Sequence, residues 1–269
     1  MKVACVIVAR NEAENIANTI MSILNQTIEI KIVLVDDGST DRTANISRSF
    51  GVPVLSLPFH RENYTGTPYL AMRFNIGLDY VRRYSPDFVL IMGGDHEIPP
   101  DYVESIINKM GNEIVIASGL IQGQPSSAPR GSGRIVNVEF WEKFNRMNYP
   151  INPGWESWLC SKASMEGYKV EHFNEVISYS RKGRKNTRKM YCRGRGMYAL
   201  GYHPSYAIAR GVMIMFKRPL SGLAMVFGFF FHGRVQKLDT FEFVRARQVK
   251  ALLPRVKDKL ERLIFVVDQ

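Results

Sequence analysis

The segment VLVDDGSTDRT, Val33 to Thr43, decides the fold. An apolar run, Ile30 to Val35, stops on two adjacent carboxylates, Asp36 and Asp37. Gly38-Ser39-Thr40-Asp41 follows, a string suited to a turn and a helix start. Two acids at the end of a buried strand are costly unless they accept hydrogen bonds or face a ligand or cation. The same residues also suit a mere turn and helix cap, and both readings stand at this point. Upstream lies another apolar run, Val3 to Ala9, and between the two runs Ile16, Ile20, Ile23 and Leu24 recur at helical spacing, one face turned to a sheet. Downstream the pattern predicts a third strand at Val52 to Ser56, a helix at Tyr69 to Arg83 and a fourth strand at Phe88 to Met92. Strand, helix and strand in alternation predict an α/β fold, a mostly parallel sheet flanked by helices.

In such sheets the ligand crevice lies beyond the carboxyl ends of the strands. Three segments fall there: Ala9-Arg10-Asn11-Glu12, Asp36-Asp37-Gly38-Ser39 and Gly93-Gly94-Asp95-His96-Glu97. Carboxylates in the last suit Mg2+ or Mn2+, and such a metal would hold a diphosphate. No strand is followed by a phosphate-cradling glycine loop of either common type, and neither a nucleophile elbow nor a zinc-binding His-Glu-x-x-His occurs, so ATPase, dinucleotide, hydrolase and zinc chemistries drop away. Further along, a strand is expected at Glu113 to Ser118, a Gly/Pro/Ser-rich loop at Gln122 to Gly133 and a helix at Val136 to Asn145.

The chain has 269 residues, 45% hydrophobic and 23% charged, which fits one α/β domain with an appendage and excludes disordered and collagen-like classes. Charge is uneven. Residues 1–180 hold 16 Lys and Arg against 20 Asp and Glu, and residues 181–269 hold 20 against 5, so the halves carry −4 and +15. The expected division is therefore a domain over 1–180 and a basic, amphipathic, helical C-terminal region over 181–269 that associates with a membrane. Its run from Pro219 to Phe231 has 13 residues, whereas a spanning helix needs about 20. Leu223, Val226, Phe227, Phe230 and Phe231 recur at helical spacing and would enter the acyl boundary, with Lys and Arg at the headgroups. A homodimer contact is the alternative account of that run. Three dispersed cysteines, Cys5, Cys160 and Cys192, fit a reducing cytoplasm, and VACVIVA is too short an apolar run for a signal peptide.

The motifs together resemble family 2 glycosyltransferases of the inverting, GT-A type nucleotide-diphospho-sugar-binding fold. VIVARNEAENI resembles the family's first-strand motif, and VLVDDGSTDRT matches its second-strand signature almost letter for letter. Phe74-Asn75-Ile76-Gly77 resembles Arg-Asn-x-Gly, with Phe74 in place of Arg and an Arg73 one position earlier. The family's Asp-x-Asp falls on Gly93-Gly94-Asp95, its first acid lost, or on Asp95-His96-Glu97, its second replaced. A third signature resembles Trp155-Glu156-Ser157-Trp158-Leu159 with Lys162 and Gly167-Tyr168.

The resemblance implies a nucleotide-sugar donor, with Ala9, Asn11 or Glu12, and Asp37 at the base and ribose. It implies a Mg2+ or Mn2+ ion on Asp95, with Glu97 as the further acid in the second register. Glu156 takes the place of the general base that removes the acceptor's proton, while Tyr149, Trp155 and Trp158 stack on sugars or fill the core. The acceptor would be lipid-linked or a glycan, met by a peripheral protein at the inner membrane face. A nucleotidyltransferase would show a Gly-rich basic loop where ARNEAEN stands, and a nucleic-acid-binding module built on the basic tail fits its interleaved apolar residues less well, so no nucleic acid is expected. The departures at Gly93 and at Trp155, which stands where the third signature has an acid before Glu156, leave a catalytically impaired relative as a third reading.

Overall fold

The computed structural model of the protein describes residues 1–62, 64, 66–124, 128–129, 131–181 and 187–251. Part of the Gly/Pro/Ser-rich loop (125–127 and 130), part of the basic run (182–186) and everything from 252 lie outside the described residues. The described residues form two compact units, one within 1–151 and 162–184 and the other within 152–161 and 185–269.

The first unit is built on eight strands: β1 (Val3–Ala9), β2 (Ile30–Asp36), β3 (Val54–Ser56), β4 (Phe88–Gly93), β5 (His96–Glu97), β6 (Ile114–Ile121), β7 (Arg134–Asn137) and β8 (Lys169–Ser180). They lie in the order β3-β2-β1-β4-β7-β6-β8-β5. From β3 to β4 every pairing is parallel, as the alternation predicts. Beyond β4 the sheet is mixed, with β7 antiparallel to both neighbours, β8 parallel to β6 and β5 antiparallel to β8.

β1 is buried along its whole length. One of its faces, with Val3, Cys5 and Ile7, joins Ile16, Ile20 and Ile23 of α1 (Ile16–Leu24) and Val103 and Ile106 of α4 (Tyr102–Met110) in a single cluster. Each such side chain contributes roughly 1.5–3 kcal/mol by leaving water. Leu24, expected on that face, is 51% exposed at the end of α1. Its neighbour Ile23 takes the inward position, and one residue on, about 100° round the helix, the chain faces solvent. The other face meets α3 (Pro68–Val81), where Gly77 has no room for a side chain: a Cβ there would lie 2.3 Å from Val6 Cγ1 and 3.0 Å from Val35 Cγ2. α2 (Thr43–Ser49) follows β2.

The helix expected at Val136 to Asn145 divides between β7 and α5 (Val138–Glu142). β-branched Ile135 and Val136 go to the sheet, and the Asn137 side chain then caps α5 by accepting from Phe140 N–H at 2.9 Å. β3 begins two residues later than expected because Pro53, which has no N–H to give, precedes it; its carbonyl still accepts from Leu34 N–H.

The second unit is helical. It holds the start of α6 (Trp155–Met165), α7 (Thr187–Ala199), α8 (Pro204–Met215), α9 (Pro219–Phe230) and helical residues 241–251. Met190, Met197, Ala207, Met225 and Phe229 form its core. α7 and α9 approach so closely that a Cβ on Gly194 would lie 2.0 Å from Met225 O and one on Gly228 2.2 Å from Tyr191 O.

The crowding at Gly77 gives a direct test. Gly77→Val should lower the unfolding free energy by about 1–3 kcal/mol in urea titrations, even though valine is the better helix former. An unchanged or raised stability would show that α3 does not pack on β1 and β2 as described.

Candidate functional site

The loops leaving β1 and β2 are sewn together. Asp37 N–H donates to Ala9 O (2.9 Å), continuing the ladder one step past the strands. Asn11 adopts a left-handed backbone (φ 53°), which asparagine tolerates. Its N–H donates to Ser39 Oγ (3.0 Å) and its side-chain carbonyl accepts from Thr40 N–H (2.8 Å). Glu12 N–H donates to Thr43 Oγ1 (2.8 Å) and Ala13 N–H to Asp41 Oδ2 (3.0 Å). Asp36 accepts from Ser39 N–H (3.3 Å), the turn reading, while Asp37 does something else.

Asp37 is buried and its Oδ1 takes two partners, Arg73 Nε at 2.7 Å and His60 Nε2 at 3.0 Å. His60 Nδ1 lies 2.9 Å from Arg10 Nη1. A guanidinium only donates, so Nδ1 accepts and Nε2 carries the hydrogen that goes to Asp37. Tyr64 stacks on His60 (4.3 Å between centroids), and the Arg73 guanidinium lies over the Tyr64 ring, 4.5 Å from its centroid. Arg10 also donates to the carbonyls of His60 and Glu62. Arg73 therefore supplies the cation, and Phe74 beside it is buried, edge-on to Tyr149 at 6.3 Å. Asn75 bonds both the N–H and the carbonyl of Tyr149 (2.8 and 2.9 Å). Neither His60 nor Tyr64 belongs to a motif. The only hint of them in sequence is a polar stretch following the strand next to β2.

After β4 the chain turns at Gly93 and Gly94. A Cβ on Gly94 would lie 2.7 Å from Ala9 Cβ and 3.1 Å from Glu12 Cγ, so this loop rests on the first one. Asp95 and Glu12 share a cation: Arg181 Nη2 meets Glu12 Oε1 and Oε2 at 2.8 and 2.9 Å, and Arg181 Nε lies 3.7 Å from Asp95 Oδ2. Burial pushes the Glu12 carboxyl up from its ordinary range, against the pull of Asn15 and Arg181. His96 is buried, its Nδ1 2.6 Å from Ser132 Oγ, and burial holds its pKa down at about 4, so it is a neutral imidazole. Glu97 is exposed on β5, its backbone paired with Tyr179.

Mg2+ and Mn2+ ask for a near-octahedral set of oxygens. Among the described residues no three His, Cys, Asp or Glu side chains gather. An ion at Asp95 would have to displace the Arg181 guanidinium or sit beside it with like charge. The donor set around Asp95 and Glu97 does not fit a resident divalent cation.

Glu156 lies in the second unit, in the first turn of α6, and is exposed. Trp155 and Trp158 on either side of it are buried, and Trp158 Nε1 donates to Asp239 Oδ1 at 2.6 Å. Tyr149 is buried as well. Of the two roles the sequence offered these three aromatics, the interior one is the one observed.

The family model described as Glycosyl transferase family 2 matches residues 4–175. A curated relative, the 4,4'-diaponeurosporenoate glycosyltransferase of Staphylococcus aureus, is 38% identical over 52 residues, which is 19% of this chain and 14% of that protein's length. Three solved structures share the fold at low identity. Mannosyltransferase PcManGT from Pyrobaculum calidifontis, in complex with GDP-Man and Mn2+, is 15% identical with a TM-score of 0.58, over 93% of this chain and 80% of the other. Glucosyl-3-phosphoglycerate synthase from Mycobacterium tuberculosis, with Mn2+, UDP and phosphoglyceric acid, is 16% identical with a TM-score of 0.55, over 73% and 77%. TarS residues 1–349 of S. aureus, with UDP, is 16% identical with a TM-score of 0.52, over 93% and 92%.

Because Asp37 is buried between two cationic or hydrogen-bonding partners, Arg73→Met should cost about 3–5 kcal/mol of stability, the usual consequence of leaving a buried charge without its partner. Arg73→Lys should recover part of the loss. Urea midpoints of the three proteins measure this, and a change below about 1 kcal/mol for Arg73→Met would remove the pair from any structural role.

Proposed function

The chain belongs to glycosyl transferase family 2, and from that premise we propose that it moves a hexose from a nucleotide-diphosphate donor to a lipid-linked or glycan acceptor, with inversion at the anomeric carbon. One observation carries the reading: the loops after β1, β2 and β4 meet at the carboxyl edge of the parallel strands, and Ala9, Asn11, Glu12, Asp37 and Asp95 stand on them. Ala9 and Asn11 shape the floor for base and ribose, and Asp37, fixed by Arg73 and His60, is the acceptor offered to a base N–H. Glu156 is the proposed general base. An acceptor hydroxyl gives its proton to the Glu156 carboxylate as its oxygen bonds to the anomeric carbon. The bond from that carbon to the diphosphate breaks, and its electron pair leaves with the phosphate oxygen. In-line displacement of this kind inverts the centre.

The C-terminal region over 181–269 is proposed to hold the protein peripherally on an anionic membrane surface at the cytoplasmic face, where a lipid-linked acceptor presents its sugar. Support comes from the second unit by itself. Met213, Phe216 and Leu220 at the turn between α8 and α9 are 73%, 86% and 72% exposed, with Lys217 and Arg218 between them. Leu223, Phe227, Phe230 and Phe231 are exposed too. Val226, expected with them, instead packs toward Gly211 of α8. No helix among the described residues is long and apolar enough to cross a membrane. A homodimer seam over the same residues is the competing occupant.

Release of nucleoside diphosphate from a panel of UDP-, GDP- and dTDP-sugars tests the activity, and Glu156→Gln should lower turnover by about 10²- to 10⁴-fold with donor affinity unchanged. If affinity collapses while the rate persists, Glu156 binds the donor and the base lies elsewhere. In flotation assays the full chain should rise with anionic vesicles and bind less as salt is raised, and Phe216→Glu with Leu220→Glu should remove the salt-insensitive part. Indifference to vesicles of every composition, with a dimer mass in solution, would transfer the apolar face to a subunit contact.

A further inference from the structure

The leaving group of a sugar transfer is a diphosphate whose negative charge grows as the bond breaks, and stabilising it requires positive charge already in place. At Asp95, where the family's motif would set a metal, the first unit holds a side-chain cation. Gly93 has lost the acid that would complete a metal pair. Arg181, at the end of β8, reaches both remaining acids: it is bidentate through Nη2 to Glu12 and 3.7 Å from Asp95 through Nε, and its backbone N–H reaches Asp95 O at 3.4 Å. Glu12 thus holds the guanidinium by hydrogen bonds, and the Asp95 carboxylate adds its charge at 3.7 Å. Its Nη1 has no hydrogen-bond partner among the described residues, and the side chain is 55% exposed, which leaves the guanidinium within reach of a ligand. Arginine's planar fork matches phosphate oxygens and keeps its charge at any working pH.

We infer that Arg181, held by Glu12 and Asp95, is the diphosphate-binding cation of this protein and serves in place of a divalent metal ion. The inference rests on the donor-binding reading above and deepens it. Glu12 and Asp95 then act as positioning residues: they orient the guanidinium rather than bind an ion. Electron density arriving on the departing phosphate oxygen is met by the Arg181 N–H groups, with no change in protonation of the arginine.

The experiment is isothermal titration of the full chain with UDP, GDP and dTDP, each in EDTA and each in Mn2+, alongside electron paramagnetic resonance of added Mn2+. The expected result is that one diphosphate binds in EDTA within about threefold of its affinity in Mn2+, and that the free Mn2+ signal is not titrated by protein. Arg181→Met should weaken that diphosphate by about tenfold or more, the scale of a charged hydrogen bond, and leave the matching nucleoside, which has no phosphates, unaffected. A merely structural arginine would move both. Diphosphate binding that needs Mn2+ in the unmodified protein overturns the inference without touching the donor reading, as does an Arg181→Met protein that binds diphosphate normally. Because the metal comparison uses the unmodified chain, it decides the matter even if the variant fails to fold. Failure of all three diphosphates under both conditions overturns the donor reading itself.

Discussion

Everything in the first unit hangs on β1 being buried along its whole length between two parallel neighbours. A strand paired on both sides has no backbone group left over for water, and with helices over both faces its side chains must be apolar, so its chemistry can appear only where it ends. Because β2 and β4 run the same way beside it, their ends open at the same edge. The polar residues that follow each strand are therefore neighbours in space however far apart they stand in sequence. Ala9, Asp37 and Gly94 are the first contacts made under that constraint. Those contacts in turn dictate small residues: at Gly94 a methyl group would collide with the loop after β1, and at Gly77 one would collide with the strand from behind.

What the sequence makes legible follows from the same physics. β1, β2 and β4 announce themselves because near-complete burial demands apolar runs, broken in β2 only by the exposed Lys31 before its carboxylate end, and α1 because one buried face demands a 3.6-residue period. β8 goes unread because its residues are mostly half-buried or exposed, so Glu, His and Asn interrupt any pattern. β7 is misread as helix because four residues are too few to establish a period and Asn137, which starts the helix, sits at the strand's own end. In the site, residues next to the strand ends are visible from position alone. Arg73 is visible only as a displaced motif residue, His60 and Tyr64 only as members of a polar stretch, and Arg181 only as the first of a basic run, since what brings them in is a side chain reaching across space. The charge balance of the C-terminal half is plain in composition, but segment 152–161, which belongs to the same compact unit, carries no such mark.

Two of the three aromatics offered as sugar platforms surround Glu156, and their burial has its own meaning. Trp155 and Trp158 anchor the first turn of α6 from within while Glu156 lies exposed between them, so the packing of its neighbours helps to fix where that carboxylate stands.

The glycine seam between α7 and α9 has a consequence for how the second unit moves. Gly194 and Gly228 let backbone meet backbone, so no rotamer change can relieve or fill that contact. The two helices must then separate together or not at all, and their amides should exchange with solvent as one cooperative group. The seam also spares side chains. With the inner line of α9 given over to glycine, Met225 and Phe229, Phe227 and Phe230 lie half exposed on its outer side, where Phe227 still meets Tyr191 of α7 and Phe230 meets Phe229.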